Sequence, residues 1–160
     1  MRGNDKVLAE LNAALSAELT AIVQYMVHAE MQDNWGYHRL GAYIKKQAIG
    51  EMRHAEGLIE RILFLEGTPR VDIGLRPSIG PSVKIQLERD LAGEHQAIRD
   101  YNASVKICVL AGDNASRELF EGMVKDENEH ALYLESQLHA IGEMGVENYL
   151  ARQIIGEEKG

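Results

Sequence analysis

Glu51-Met-Arg-His54 and Glu127-Asn-Glu-His130 are the two stretches on which the reading of this chain turns. In each, a histidine follows a glutamate by three residues, which puts both side chains on one face of a helix. Working outward, Glu18 stands 33 residues before Glu51, and Glu94 stands 33 before Glu127. Tyr25 follows Glu18 by seven residues, and Tyr101 follows Glu94 by seven. The two halves match throughout at an offset of 76. Such matching predicts two helix hairpins related by a pseudo-twofold axis, each with one ligand set.

Apolar periodicity supplies the helices. The first runs from about Asp5 to Gln32, with Leu8, Leu11, Leu15, Ile22, Tyr25 and Ala29 as its stripe. The second follows Gly36, carries Leu40, Ile44, Leu58, Ile62 and Leu65, and ends at Gly67. Gly67, Pro69, Gly74, Pro77, Gly80 and Pro81 then rule out a helix. Ser82 is the expected N-cap of the third, which shows Leu87, Leu91, Ile98, Tyr101, Val105 and Cys108. Gly112-Asp113-Asn114 breaks the chain. The fourth shows Phe120, Met123, Leu134, Leu138 and Ile141 and stops near Gly142; the apolar tail Val146–Ile155 forms a short fifth. Short links make each hairpin antiparallel, and the link from Gly67 to Pro81 is long enough to run the length of a bundle. The expectation is an all-α four-helix bundle with one long crossover, a single domain over residues 1–160. Periodicity alone leaves a plain up-down bundle with a loose middle loop as the alternative.

Glu18, Glu51, His54, Glu94, Glu127 and His130 interrupt these apolar stripes at one level, where a bundle is otherwise greasy. Glutamate is almost never fully buried unless paired, and an unpaired buried carboxylate costs several kcal/mol. No lysine or arginine shares the stripes at that level. Two divalent cations balance four carboxylates. One Glu from each of two helices, with Glu-x-x-His from each of the other two, is the di-iron or di-manganese carboxylate arrangement. Oxygen and imidazole ligands without thiolates suit iron or manganese. Ordinary hydrogen-bonded polar residues account for one such interruption, not for six in a repeated spacing.

Composition narrows the class. The chain has 160 residues, 26% charged and 45% hydrophobic, with a net charge of −8, which argues against a nucleic-acid partner. The single cysteine, Cys108, excludes an intrachain disulfide and zinc sites built on paired cysteines; it reads as a buried, inert thiol. The N-terminus has no apolar signal core, and no uninterrupted apolar run is long enough for a membrane span. The expected compartment is the cytoplasm, without a membrane partner.

The sequence resembles bacterioferritins, the haem-binding branch of the ferritin-like family, over nearly its whole length. The resemblance rests on Leu8–Leu15 running into Glu18-Leu-Thr-Ala-Ile-Val-Gln-Tyr25, on Asn34-Trp-Gly36, on Glu51-Met-Arg-His-Ala-Glu56, on Arg61-Ile-Leu-Phe-Leu-Glu-Gly67 and on Met144-Gly-Val-Glu-Asn-Tyr-Leu150. It implies a ferritin-like bundle, a homo-oligomeric 24-mer shell built from dimers, iron storage, and a ferroxidase that oxidises Fe(II) with O2 or H2O2. It further implies that Glu18 and His54 hold one iron, Glu94 and His130 the other, and that Glu51 and Glu127 bridge them. Tyr25 resembles the family's tyrosine beside the centre; its ordinary reading is a core tyrosine. Met52 is the implied axial ligand of a b-type haem shared between two subunits, and a ferredoxin is the implied electron donor. Met52 points about 100° away from the di-iron stripe, onto a second apolar face with Ile49, Ile59 and Leu63, beside Leu19, Ile22 and Met26 of the first helix. Without the resemblance, Met52 is a packing methionine at a dimer interface.

The chain departs from the family at several positions. Gly50 and Asp126 occupy matching places where these proteins often have two carboxylates; Lys46-Gln47 replaces a His-Glu pair found in some members, and Leu58 stands where some have tyrosine. The six ligands are untouched, but the route of iron from centre to cavity is put in doubt. His28, His38, His95 and His139 lie off the ligand level and read as surface residues or supports of the ligands. The competing enzymes are a rubrerythrin-like peroxidase, disfavoured by the lack of paired cysteines, and a manganese catalase. The competing non-enzyme is a structural shell with an inactive site.

Overall fold

In the computed structural model, residues 2–71 and 75–155 are described; Gly74, expected in the crossover, lies outside them. Five helices follow in order: α1 (Asp5–Asn34), α2 (His38–Phe64), α3 (Val83–Ala111), α4 (Asn114–Met144) and α5 (Val146–Ala151). No strand occurs among the described residues. The Asn4 side chain caps α1 by accepting from the Lys6 and Val7 amides. Asp113 caps α4 through the Ser116 amide and is held by Arg61 at 2.9 Å, which ties α2 to the turn between α3 and α4. Gly112, at φ +69°, is the left-handed stop of α3. Ser82 does stand at the N-cap of α3, but its side chain makes no capping bond. The helix α4 runs through Gly142 and ends at Gly145, where φ is +81°.

The helices pack as two hairpins, α1 with α2 and α3 with α4, joined mainly through α1 against α3. Two apolar clusters fill the bundle. One holds Leu11, Leu15, Leu58, Ile62, Tyr101 and Phe120; the other holds Tyr25, Leu40, Ile44, Leu87 and Leu134. Each fully buried Leu, Ile or Phe contributes roughly 1.5–3 kcal/mol. The carboxylate ligands sit between the clusters.

Polar side chains of α1 fix the course of the crossover. Asn12 Oδ1 accepts from the Arg70 amide at 2.7 Å, and Asn12 Nδ2 donates to the Thr68 carbonyl at 3.3 Å. Further along, Gln24 Oε1 accepts from the Ser78 amide and His28 Nε2 from the Gly80 amide. The link therefore travels along α1 from its first half to its last third and delivers α3 antiparallel to α1. Gly80 is required there: a Cβ would stand 2.6 Å from the Gln86 amide nitrogen. This is the long-crossover, ferritin-like topology.

By length and mean hydropathy α1 is apolar enough to cross a membrane, though it is not an uninterrupted apolar run. Part of its apolar stripe, Val7, Leu11, Leu15 and Tyr25, is core of the bundle, and the same helix buries Glu18 and His28.

Candidate metal centre

All six predicted ligands converge. Glu18 on α1, Glu51 and His54 on α2, Glu94 on α3, and Glu127 and His130 on α4 meet inside the bundle, the four carboxylates each no more than 2% exposed. They form two overlapping groups: Glu18, Glu51, His54 and Glu127, and Glu51, Glu94, Glu127 and His130. Within each group one ligand atom from every residue lies within 4.8 Å of the others. Glu51 and Glu127 belong to both.

Distances are close without being those of a satisfied hydrogen-bond network. His54 Nδ1 is 3.2 Å from Glu127 Oε1 and 3.6 Å from Glu18 Oε1. His130 Nδ1 is 3.0 Å from Glu51 Oε1 and 3.6 Å from Glu94 Oε1. Yet Glu18 Oε2, Glu51 Oε1, Glu94 Oε2, Glu127 Oε1 and both histidine Nδ1 atoms are buried with no hydrogen-bond partner. Atoms this close, and unpartnered, are a donor set that could hold a cation. Buried polar atoms are normally hydrogen-bonded, so six such atoms at one place call for a charge between them.

Electrostatics agree. Burial pushes Glu51 and Glu127 well above the ordinary carboxylate range, and the neighbouring Glu18 and Glu94 add to it. For Glu94 burial acts upward too, but the adjacent Glu127 carboxyl, the His130 imidazole and the Tyr25 hydroxyl together outweigh it and hold this carboxyl low. Burial opposes charge on His54 and His130; the surrounding carboxylates overcome it and hold both imidazoles protonated above their ordinary range. Protons thus compensate these carboxylates, and a divalent cation bound among them would displace those protons.

Outside the ligands, two tyrosines brace the pseudo-twofold crosswise. The Tyr25 hydroxyl of α1 donates to Glu94 Oε1 of α3, while the Tyr101 hydroxyl of α3 donates to Glu18 Oε1 of α1 at 2.6 Å. Burial, then the adjacent carboxylates, keep both phenols protonated. Tyr25 thus lies beside this cluster, where the resemblance implies it. Tyr101, which the sequence marks only as the repeat partner of Tyr25, is placed equally close to a ligand.

The supports of the two histidines differ. His54 Nε2 lies 2.8 Å from Asp126 Oδ2. At the matching place beside His130 stands Gly50, whose added Cβ would meet only His130 Cε1, at 4.0 Å. His28 is not a surface residue: it is fully buried against Asp90 at 2.9 Å. His95 and His139 are surface residues paired with Glu135 and Glu143, and the half-buried His38 pairs with Asp33. Cys108 is buried, and burial raises its thiol to about 11.

Met52 is away from this centre and 48% exposed. Ile49, Leu63 and Met26 are similarly exposed, and Leu19, Ile22 and Ile59 lie half-buried beneath. An accessible thioether on an apolar helix face suits both a partner subunit and a flat apolar cofactor with a soft axial ligand.

The fold and the ligand set together define a ferritin-like carboxylate bundle, and the model of the ferritin-like domain matches residues 8–144. Among curated relatives, the chain is 40% identical over 152 residues to a bacterioferritin of Mycolicibacterium paratuberculosis, covering 95% of this chain and 96% of that one. It is 42% identical over 149 residues to a bacterioferritin of Brucella melitensis (93% and 92% covered) and 40% identical over 149 to one of Rhodobacter capsulatus (93% and 92%). The chain belongs to the bacterioferritin family.

Proposed function

We propose that this protein stores iron, and that each bundle is a ferroxidase which oxidises two Fe(II) with O2 or H2O2. The observation carrying the proposal is the pair of overlapping four-residue groups sharing Glu51 and Glu127. In this reading Glu18 and His54 complete one iron position, Glu94 and His130 the other, and the two shared carboxylates bridge. Bridged metals about 3.5–4 Å apart suit a two-electron step: two Fe(II) each give one electron, O2 takes two with two protons, and H2O2 leaves. The tyrosines hold Glu18 and Glu94 in place. Tyr25 is also positioned to give a proton or an electron at its hydroxyl.

The oxidised iron passes into a 24-subunit, cytoplasmic shell of identical chains as ferric mineral. Met52 from each of two subunits would hold a b-type haem on the exposed apolar face, and the haem would supply electron transfer for reductive release with a ferredoxin as donor. The test is aerobic Fe(II) titration of the metal-free assembly, followed by absorbance. A fast phase saturating near about two irons per chain, followed by slow growth of broad ferric absorbance, is expected. Absence of a fast phase sinks the ferroxidase reading.

A further inference from the structure

Asp90 is a buried carboxylate that the centre does not use. It lies on α3 one turn before Glu94 and is 1% exposed. Its Oδ1 is fully engaged, receiving Gln24 Nε2 at 2.9 Å and His28 Nδ1 at 2.9 Å. Its Oδ2 is buried with no partner. The histidine beside it brings no charge: His28 Nε2 accepts the Gly80 N–H, so its one ring proton is on Nδ1, facing Asp90. Among the described residues no lysine or arginine pairs with Asp90. Protonation does not satisfy Oδ2 either, because an O–H there has no acceptor. What is missing is a cation or a water.

Space for either adjoins Asp90. Asp90 lines a cavity of about 200 Å³ between α1 and α3, together with Gln24, Glu94, Gln96 and Asp100. Its lining includes exposed Ala17, Gly93, Gln96 and Asp100 and the buried Glu18, Glu51, Glu94 and Glu127. At about 30 Å³ per liquid water this holds a hydrated ion. Residues at i and i+4 share a helix face with Cβ atoms about 5–6 Å apart, so an ion on Asp90 is one step from Glu94, whose Oε2 is also unpartnered.

We propose that Asp90 Oδ2 is the anchor of a separate divalent-cation site, where Fe(II) is held in the α1/α3 cavity before transfer to Glu94. Gln24 and His28 aim the carboxylate from behind, and water completes the coordination. The proposal rests on the ferroxidase reading for the destination of the ion, not for the existence of the site.

The test uses crystals of the assembled protein soaked with Mn(II), read by anomalous scattering at the manganese edge. A peak against Asp90 Oδ2 in addition to two peaks at the six-ligand centre is expected, with only the Asp90 peak lost in Asp90→Asn. Both centre peaks without one at Asp90 overturn the proposal and leave the centre intact; Oδ2 then meets water alone. A peak at Asp90 with an empty centre supports the site and counts against the ferroxidase reading instead. In aerobic Fe(II) oxidation, Asp90→Asn lowers kcat/KM about tenfold with the loss falling on KM, and Asp90→Glu recovers part of it. A loss confined to kcat, or no loss, overturns the transfer role.

Discussion

Asp126 Oδ2 grips His54 Nε2 at 2.8 Å, and nothing equivalent grips His130, because the pseudo-symmetric position is Gly50. A carboxylate on the far ring nitrogen fixes the tautomer and orientation of a metal-binding histidine, and its loss lowers metal affinity roughly 10- to 100-fold. Asp126→Ala is therefore expected to weaken one of two cobalt-binding steps by that factor in an anaerobic Co(II) absorbance titration. Gly50→Asp is expected to tighten the other. Equal effects of Asp126→Ala on both steps would contradict the assigned asymmetry.

Metal-free stability should fall as pH rises. Glu51 and Glu127 have folded-state values raised above their ordinary range, and so do His54 and His130. The folded state thus keeps protons that the unfolded chain releases, starting at the ordinary carboxyl value of 4.5 and continuing past the imidazole value of 6.5. Wherever the folded state binds more protons, stability decreases with pH; the lowered Glu94 opposes this over a narrower acidic window. The Tm of the metal-free assembly should drop between pH 5 and 9, and Mn(II) should raise it most at the alkaline end. A Tm rising over that interval rejects the charge assignment.

Removing either crossed tyrosine hydroxyl leaves a buried carboxylate oxygen without its donor. Tyr101→Phe and Tyr25→Phe should each cost about 1–3 kcal/mol of metal-free stability, measured by denaturant unfolding. Tyr25→Phe should in addition slow the fast oxidation phase, since it removes the proton at Glu94; stopped-flow absorbance checks this.

Met52→Leu keeps the apolar face and removes the sulfur. The expected result is an assembly of unchanged size with unchanged fast Fe(II) oxidation and no sharp haem band. A haem band retained in that variant assigns the ligand elsewhere.

Helix periodicity and the repeat of Glu-x-x-His make the bundle and the convergence of the six side chains legible, because carboxylates recurring in apolar stripes are too costly to bury without a counter-charge. Helix ends are less so: α4 passes Gly142, which lies in the helix without strain, and stops at Gly145, where φ is positive. Asp90 and His28 are invisible as a pair in the sequence. They are 62 residues apart, and only the crossover, pinned along α1, brings Gly80 to the back of the imidazole. The two faces of Tyr101, core residue and ligand brace, are also inseparable in sequence, since both need an aromatic ring at the same place.

Each hairpin carries three of the six ligands, and each four-residue group borrows one from the other hairpin. A chain with only one half folded therefore offers an incomplete set, open to water and without its bridge. On the proposed ferroxidase reading, the site that would bring iron and oxygen together exists only once both halves have docked.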